Sequence, residues 1–212
     1  MRDPGATLLA AQKTSPRTEL VRLVLTNNGD TKTYYNHSGD NRIVSWDHIE
    51  EDDIQSAQIV LANADKTISA LDLWSYKAVL SYGLTTSTSD EYSATAPMYV
   101  VGQQSHSWQG GLVVSLSLAG LSNLLNEDEA SEAYTPASDD TDTVKTLFRK
   151  IAGDTGVTKL TCFTDCQSYE VEFVIEDDLI DTFIPADAFS IPYKANRLSK
   201  LKELLNLSLI HI

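Results

Sequence analysis

Basic residues are scarce in this sequence, and between Lys77 and Lys145 there are none. That stretch carries Asp90 and Glu91 and then a run of carboxylates from Glu127 to Asp142, and the whole chain carries a net charge of −14. Contact with a phosphate backbone needs Lys and Arg, so no direct sequence-specific binding of nucleic acid is expected. Only the segment holding Lys194, Arg197, Lys200 and Lys202 is locally basic. An acidic surface favours solubility and selects against anionic partners. Long apolar runs are also missing. None reaches the roughly 18 residues that would span a bilayer, so no membrane partner is expected. Near the N-terminus, the apolar run from Leu8 to Ala11 is too short for the core of a signal peptide. The protein is therefore expected to be made and kept in the cytosol.

Cysteine is nearly absent. Cys162 and Cys166 have no second pair and no histidine at ligand spacing, whereas a zinc site needs about four ligands. A redox motif has two intervening residues, and three stand here. The spacing leaves two half-buried thiols on adjacent strand positions, or a local disulfide.

The usual catalytic constellations are missing as well. There is no glycine-rich phosphate loop and no Gly-x-Ser-x-Gly elbow. His37, His48 and His106 lie far apart, none with a second ligand at helical spacing. The run Glu50, Glu51, Asp52, Asp53 could in principle supply an acid and a base, but adjacent loop charges read as a solvated surface. Asn27 to Asp30 and the pair Asp177, Asp178 do not have the ligand spacing of an EF-hand and read as turns. Trp46, Trp74, Tyr76, Tyr82, Tyr99 and Trp108 could stack on a sugar, but strand packing is the role their positions favour. The residues thus assign no catalytic, cofactor-binding or metal-binding side chain, no cofactor, and no enzymatic activity.

What is present is a series of short strands. Residues 1–18 lack a period and read as a loose arm. Leu20 to Leu25 is a strand stopped by the turn at Asn27 to Asp30, and Lys32 to Tyr35 follows before a turn at Ser38, Gly39 and Asp40. Further strands are expected at Arg42 to Trp46, Ile54 to Leu61, Trp74 to Tyr82 (ending at Gly83), Met98 to Gly102 and Leu112 to Ala119. Thr85 to Ser89 reads as a hairpin tip. In the last strand Leu112, Val114, Leu116 and Leu118 alternate against Val113, Ser115, Ser117 and Ala119. Strands at this spacing suggest a barrel or a sandwich.

After Gly120 the character changes. A helical turn is expected from Leu121, then an exposed acidic linker over residues 127–142. Val144, Leu147, Phe148, Ile151 and Ala152 recur at helical spacing, with Asp142 placed to cap the start and Gly153 or Gly156 the end. Lys159 to Thr164 and Tyr169 to Val174 read as a strand pair. Asn196 is placed to cap a last helix carrying Leu198, Leu201 and Leu205. The fold expected is mainly β with a few α-helices: a β-barrel-like domain over residues 19–126, then a small α+β segment over 143–206.

Four passages resemble the hub and tail-tip structural proteins at the base of bacteriophage tails. They are "DDIQSAQIVLANADKTISALDLWSYKAVLSYGL" (52–84), "APMYVVGQQSHSWQGGLVVSLSLAGLSNLL" (96–125), "DTVKTLFRKIAGDTGV" (142–157) and "IPADAFSIPYKANRLSKLKELL" (184–205). The resemblance runs from about Glu19 to Leu205. It implies a virion protein, assembled in the bacterial host cytoplasm, that self-associates into a ring joining the tail tube to a spike or fibres. The partners implied are other tail or baseplate proteins. An acidic surface suits a tail lumen that passes DNA. Two other readings stand beside it: a carbohydrate-binding or adhesion module using Trp74 and Trp108, and the N-terminal part of a tail-associated lytic enzyme.

The chain ends Leu207-Ser208-Leu209-Ile210-His211-Ile212. This is the translation of CTG TCT CTT ATA CAC ATC, the end of a transposon-based sequencing adapter. Residues 207–212 are therefore expected to be an artefact, and the natural protein to continue beyond them.

Overall fold

The computed structural model describes residues 6–13, 18–37, 41–51, 54–86, 89–137, 140–173, 178–185 and 188–210. It divides into two compact units, Met1–Asn123 and Leu124–Ile212. The architecture is mainly β, with helices concentrated toward the C-terminus.

The first unit holds helix α1 (Ala6–Ala11) and eight strands: β1 (Glu19–Asn27), β2 (Asp30–Tyr35), β3 (Ile43–Glu50), β4 (Gln55–Ala62), β5 (Lys77–Thr85), β6 (Asp90–Ala94), β7 (Met98–Trp108) and β8 (Gly111–Gly120). They form one antiparallel sheet in the order β2-β1-β5-β7-β8-β4-β3, with β6 on the far half of β5. The β1–β2 hairpin turns on Asn28 and Gly29, both at positive φ, the geometry that matches the twist of the flanking strands. Inward residues of seven strands, all but β6, and of the 63–76 loop share one core, including Leu23, Tyr34, Ile59, Leu80, Val100 and Leu116. The sheet is rolled. His48 of β3 stacks on Tyr82 of β5 at 5.9 Å, although β7, β8 and β4 stand between them in the ladder.

The roll is not closed, which corrects the barrel expectation. Among the described residues, the two end strands meet only at an isolated parallel bridge, Tyr35 with Asn41. Parallel neighbours need a crossover of about a dozen residues or more. The link from β2 to β3 is too short for one, so β3 runs on instead of lying along β2.

Other elements also depart from expectation. Residues 6–11 of the arm form a helix, with Leu8 buried. Trp74 and Ser75 sit in a turn, Ser75 at φ 65°, and β5 starts at Lys77. It does not stop at Gly83, because β6 pairs beyond it. A Cβ at Gly83 would lie 2.2 Å from the Glu91 carbonyl oxygen, so only glycine admits β6 this close. Gly83→Ala should therefore displace β6 and cost about 1–3 kcal/mol. Hydrogen exchange at the β6 amides should accelerate before that of β8. Unchanged protection of β6 would refute the close approach.

In the second unit, α2 (Leu121–Glu127) leads in from the first, followed by α3 (Val144–Ala152), α4 (Asp178–Thr182) and α5 (Arg197–Ile210). Residues 127–142 are not a free acidic linker. Ala130 is buried, Glu129 bridges to Asn196, and Tyr134 exchanges two 2.8 Å backbone bonds with Ile191. Thr143, not Asp142, caps α3 by accepting from the Thr146 amide, while Asp142 pairs with Lys150. Gly153 ends α3 in the left-handed conformation. The Asn196 side chain caps α5 through the Ser199 amide at 2.9 Å, and the buried face of that helix carries Leu201 and Leu204, with Leu198 and Leu205 half-buried.

The expected strand pair does not form. Thr161–Phe163 is a 3-10 turn closed by local bonds, among them Phe163 N–H to Leu160 O at 3.0 Å. Tyr169 gives its amide to Ala152 and Val171 to the Asp154 carboxylate, so those groups are not available to a ladder. Cys162 and Cys166 are free thiols, the first fully buried in the 3-10 turn and the second half-buried. Burial pushes the Cys162 thiol up to about 11. The turn expected at residues 38–40, the tip residues 87 and 88, Asp52, Asp53, Asp139, Val174, Asp177 and His211 lie outside the described residues.

Candidate assembly surface

The seam of the rolled sheet is where side chains and unspent backbone groups converge. In the β1–β2 hairpin the two-residue turn makes Asn27 and Asp30 a hydrogen-bonded pair. Bonding then alternates along the ladder, so Thr31, Thr33 and Tyr35 direct their N–H and C=O away from β1. Tyr35 confirms the alternation: its carbonyl accepts the Arg42 amide at 2.9 Å. Thr33 directs both groups along the open edge. A cleft of about 320 Å³ lies there, lined by residues 31–34 on one side and by Arg42, Thr67, Ile68 and Leu71 on the other.

The far wall of this cleft is built by the 63–76 loop, which is held from two sides. Asn63 is buried, and its side-chain oxygen accepts the Ile68 amide at 3.0 Å. Gln103 of β7 reaches in from the sheet. Its oxygen accepts the Leu73 amide at 3.0 Å, and its nitrogen donates to the Leu71 carbonyl at 2.9 Å. Arg42 forks onto both oxygens of Asp65, at 2.9 and 2.6 Å. That guanidinium holds the Asp65 carboxyl well below the usual carboxylate range. Next to the near wall, Asp30 accepts from the Tyr76 hydroxyl at 2.8 Å and pairs with Lys32. The Tyr76 bond first, and Lys32 second, lower its pKa.

At the other end of the ladder, β3 has no strand on its outer side among the described residues. It exposes Val44 and Ile49, and Ile54 is exposed beyond the hairpin turn. Unpaired apolar edges of this kind invite pairing with another chain.

A third feature is the β7–β8 hairpin. Residues 104–108 of β7 are all exposed, as are Gly111 and Leu112 opposite them. This ribbon's tip, residues 107–112, extends past the core, which corrects the placing of Leu112 with the inward residues. It turns on Gln109 and Gly110, at φ 49° and 81°, and carries Trp108 and Leu112 at its tip, 38% and 42% exposed.

The residues singled out in the sequence fall in several places. His37 joins a cluster rather than standing alone. Its Nε2 lies 3.2 Å from both Asp90 and the Tyr92 hydroxyl, and Arg22 sits over the Tyr92 ring at 4.4 Å. This ties the end of β2 to β6. His48 packs inward against Tyr82, and His106 is exposed on the ribbon. Asn28 and Gly29 are a turn, as read. Of the aromatics, Trp46, Tyr76 and Tyr82 pack against the core, while Trp74 is 60% exposed on the 63–76 loop. Among the described residues, no three His, Cys, Asp or Glu side chains are grouped to hold a metal ion. Asn63 was legible only as part of the turn that closes β4, and Gln103 was not singled out, since a glutamine after Gly102 carries no signal of its own.

No protein-family model matches the chain, and no curated protein matches it. Solved structures do. One is the tail protein from Neisseria meningitidis MC58, 13% identical with a TM-score of 0.39, aligned over 63% of this chain and 33% of its own. Another is the Francisella PdpA-VgrG complex in its lidded form, 11% identical with a TM-score of 0.38, aligned over 63% of this chain and 19% of that one. This chain thus spans about a third and about a fifth of the two structures to which it is similar.

Proposed function

We propose that this chain is a non-enzymatic structural component of a phage tail or baseplate, which self-associates into a ring and is covered on its β3 side by another tail protein. The observation that carries this reading is the open seam. A rolled eight-stranded sheet with unclosed ends exposes backbone edges at β2 and apolar side chains at β3. Edges like these are covered by a partner in proteins built to assemble. The passages that resemble tail hub proteins support the same class, and a ring joining tube to spike or fibres is the arrangement that resemblance implies. The virion tail is the matching location.

The purified chain should form a closed cyclic species in sedimentation and negative-stain images, and should co-sediment with tail fractions. Placing Lys at both Val44 and Ile49 should weaken that co-sedimentation by tenfold or more, as expected for charging an apolar contact. A strictly monomeric protein with no partner in a tail lysate would sink the reading.

A second reading, adhesion to glycans, draws on Trp74, which stands out from a loop pinned by Gln103. It expects hits on a glycan array that disappear with Trp74→Ala; an empty array excludes it.

A further inference from the structure

We propose that the β7–β8 ribbon is the arm by which one copy of this chain engages the next, its Trp108 tip seating in the neighbour's cleft between β2 and the 63–76 loop. This rests on the ring reading and assigns its two contact surfaces.

Charge singles out the ribbon. The chain carries 30 acidic and 16 basic residues, yet no Asp, Glu, Lys or Arg occurs from Tyr92 to Asn126. Two copies at −14 each repel, and like charges brought together at an interface are costly. An uncharged tip, residues 107–112, that lies beyond the buried pairs of the ladder can approach a second copy without that cost. The structure projects the middle of this stretch: residues 104–108 are exposed, and the tip carries Trp108 and Leu112 on a tight turn. Tryptophan, here at an exposed hairpin tip, is among the residue types that most often dominate binding energy.

The cleft fits as the receiving surface. At about 320 Å³ it exceeds the roughly 150 Å³ cavity that accepts a benzene ring, so one indole can enter. Its walls are mostly polar: the half-buried Leu71 stands beside the aliphatic stems of Lys32 and Arg42, whose charged ends are held by Asp30 and Asp65, and a cation over an indole face is attracted to it. Thr33 offers its outward N–H and C=O along the same edge, backbone partners for an extended segment laid beside β2. Arm and cleft are different surfaces of one chain. A contact between them is therefore heterologous, the type that builds a ring when its rotation closes.

Two variants separate the halves. Trp108→Ser removes the tip and leaves the cleft. Thr33→Pro removes an outward N–H from an edge strand, where proline is tolerated, and leaves the tip. Each alone should associate at least about thirtyfold more weakly than the wild type in sedimentation velocity, with circular dichroism showing both folded. An equimolar mixture has one intact tip and one intact cleft. It should form a dimer and stop there. If the wild type assembles and Trp108→Ser assembles equally well, the contact is elsewhere; this inference fails and the ring reading stands. If the variants remain apart when mixed, the pairing of tip with cleft is wrong. If the wild type is monomeric at every concentration, both fall.

Discussion

Replacing Arg197 with Met should unfold the second unit under conditions where the wild type is stable, at a cost of about 3–5 kcal/mol. Arg197 is fully buried, the largest side chain to be so among the described residues. Its Nε donates to the Ile151 carbonyl at 2.8 Å. Its Nη1 donates to Asp128 at 2.7 Å and to the Gln167 carbonyl at 2.8 Å. The guanidinium plane sits over Phe163 and Tyr169, at 5.6 and 5.4 Å. One side chain at the start of α5 therefore joins the end of α3, the 3-10 turn, the segment at Gln167 and the chain leaving α2. Ile151 lies in the last turn of α3, where carbonyls have no partner within the helix. Met fills similar space but leaves two carbonyls without donors and Asp128 without its cation. A loss of this size is a large part of the 5–15 kcal/mol that holds a typical domain together. Lys in its place keeps the charge but cannot present the planar fork that reaches three acceptors, so it should recover only part. All three tryptophans belong to the first unit. Tryptophan emission should stay native while helical circular dichroism is lost. A urea midpoint within experimental error of the wild type would show that Arg197 is not the pin of this unit.

The elements legible in the sequence are those whose side chains make the structure. β8 was readable because Val114, Leu116 and Leu118 face one core, and alternation is the trace a one-sided core leaves. α3 was readable because Val144, Leu147 and Ile151 fall on one buried stripe. β6 left no such trace. It is the polar run Asp90–Ala94, held by its ladder to β5 and by the tie from His37 to Asp90 and Tyr92. Leu112 misled for a related reason: it continues the alternation of β8 beyond the point where the core ends. In the second unit, β-branched and aromatic residues around Thr161 and Tyr169 read as strands, while their backbone groups are satisfied by local turns and by Asp154. Of the candidate assembly surface, the turn residues and Trp108 were visible. The seam was not, since closure of a sheet depends on where its two ends meet and not on any one strand.

Acid should weaken the second unit through Asp154, and Asp154→Asn should remove most of that dependence. Asp154 is buried just past α3. It accepts from the Arg149 Nε and from the Val171 amide, the latter at 3.1 Å. Burial alone would raise its pKa. The Arg149 bond, with the amides of Val171 and Thr155, outweighs burial and leaves the carboxyl below its usual value. The sign follows from linkage. Above the unfolded pKa, about 3.9, the group is ionised in both states, and only the folded state supplies Arg149 and the amides. As pH falls below that value the unfolded chain takes up the proton first, so unfolding is favoured progressively until the folded carboxyl also titrates. The stabilisation is present in full above about pH 5 and declines below it. Asparagine can still accept the Val171 amide but carries no charge for Arg149, a loss of about 1.5–3 kcal/mol for a hydrogen bond to a charged group. Urea unfolding followed by helical circular dichroism should therefore separate wild type from Asp154→Asn at neutral pH and bring them together toward pH 2. Tryptophan emission reports the first unit separately, so acid effects there are distinguished from those of Asp154. A gap between the two proteins that stays constant from neutral pH to pH 2 would mean that the ionised form of Asp154 is not what Arg149 and Val171 stabilise.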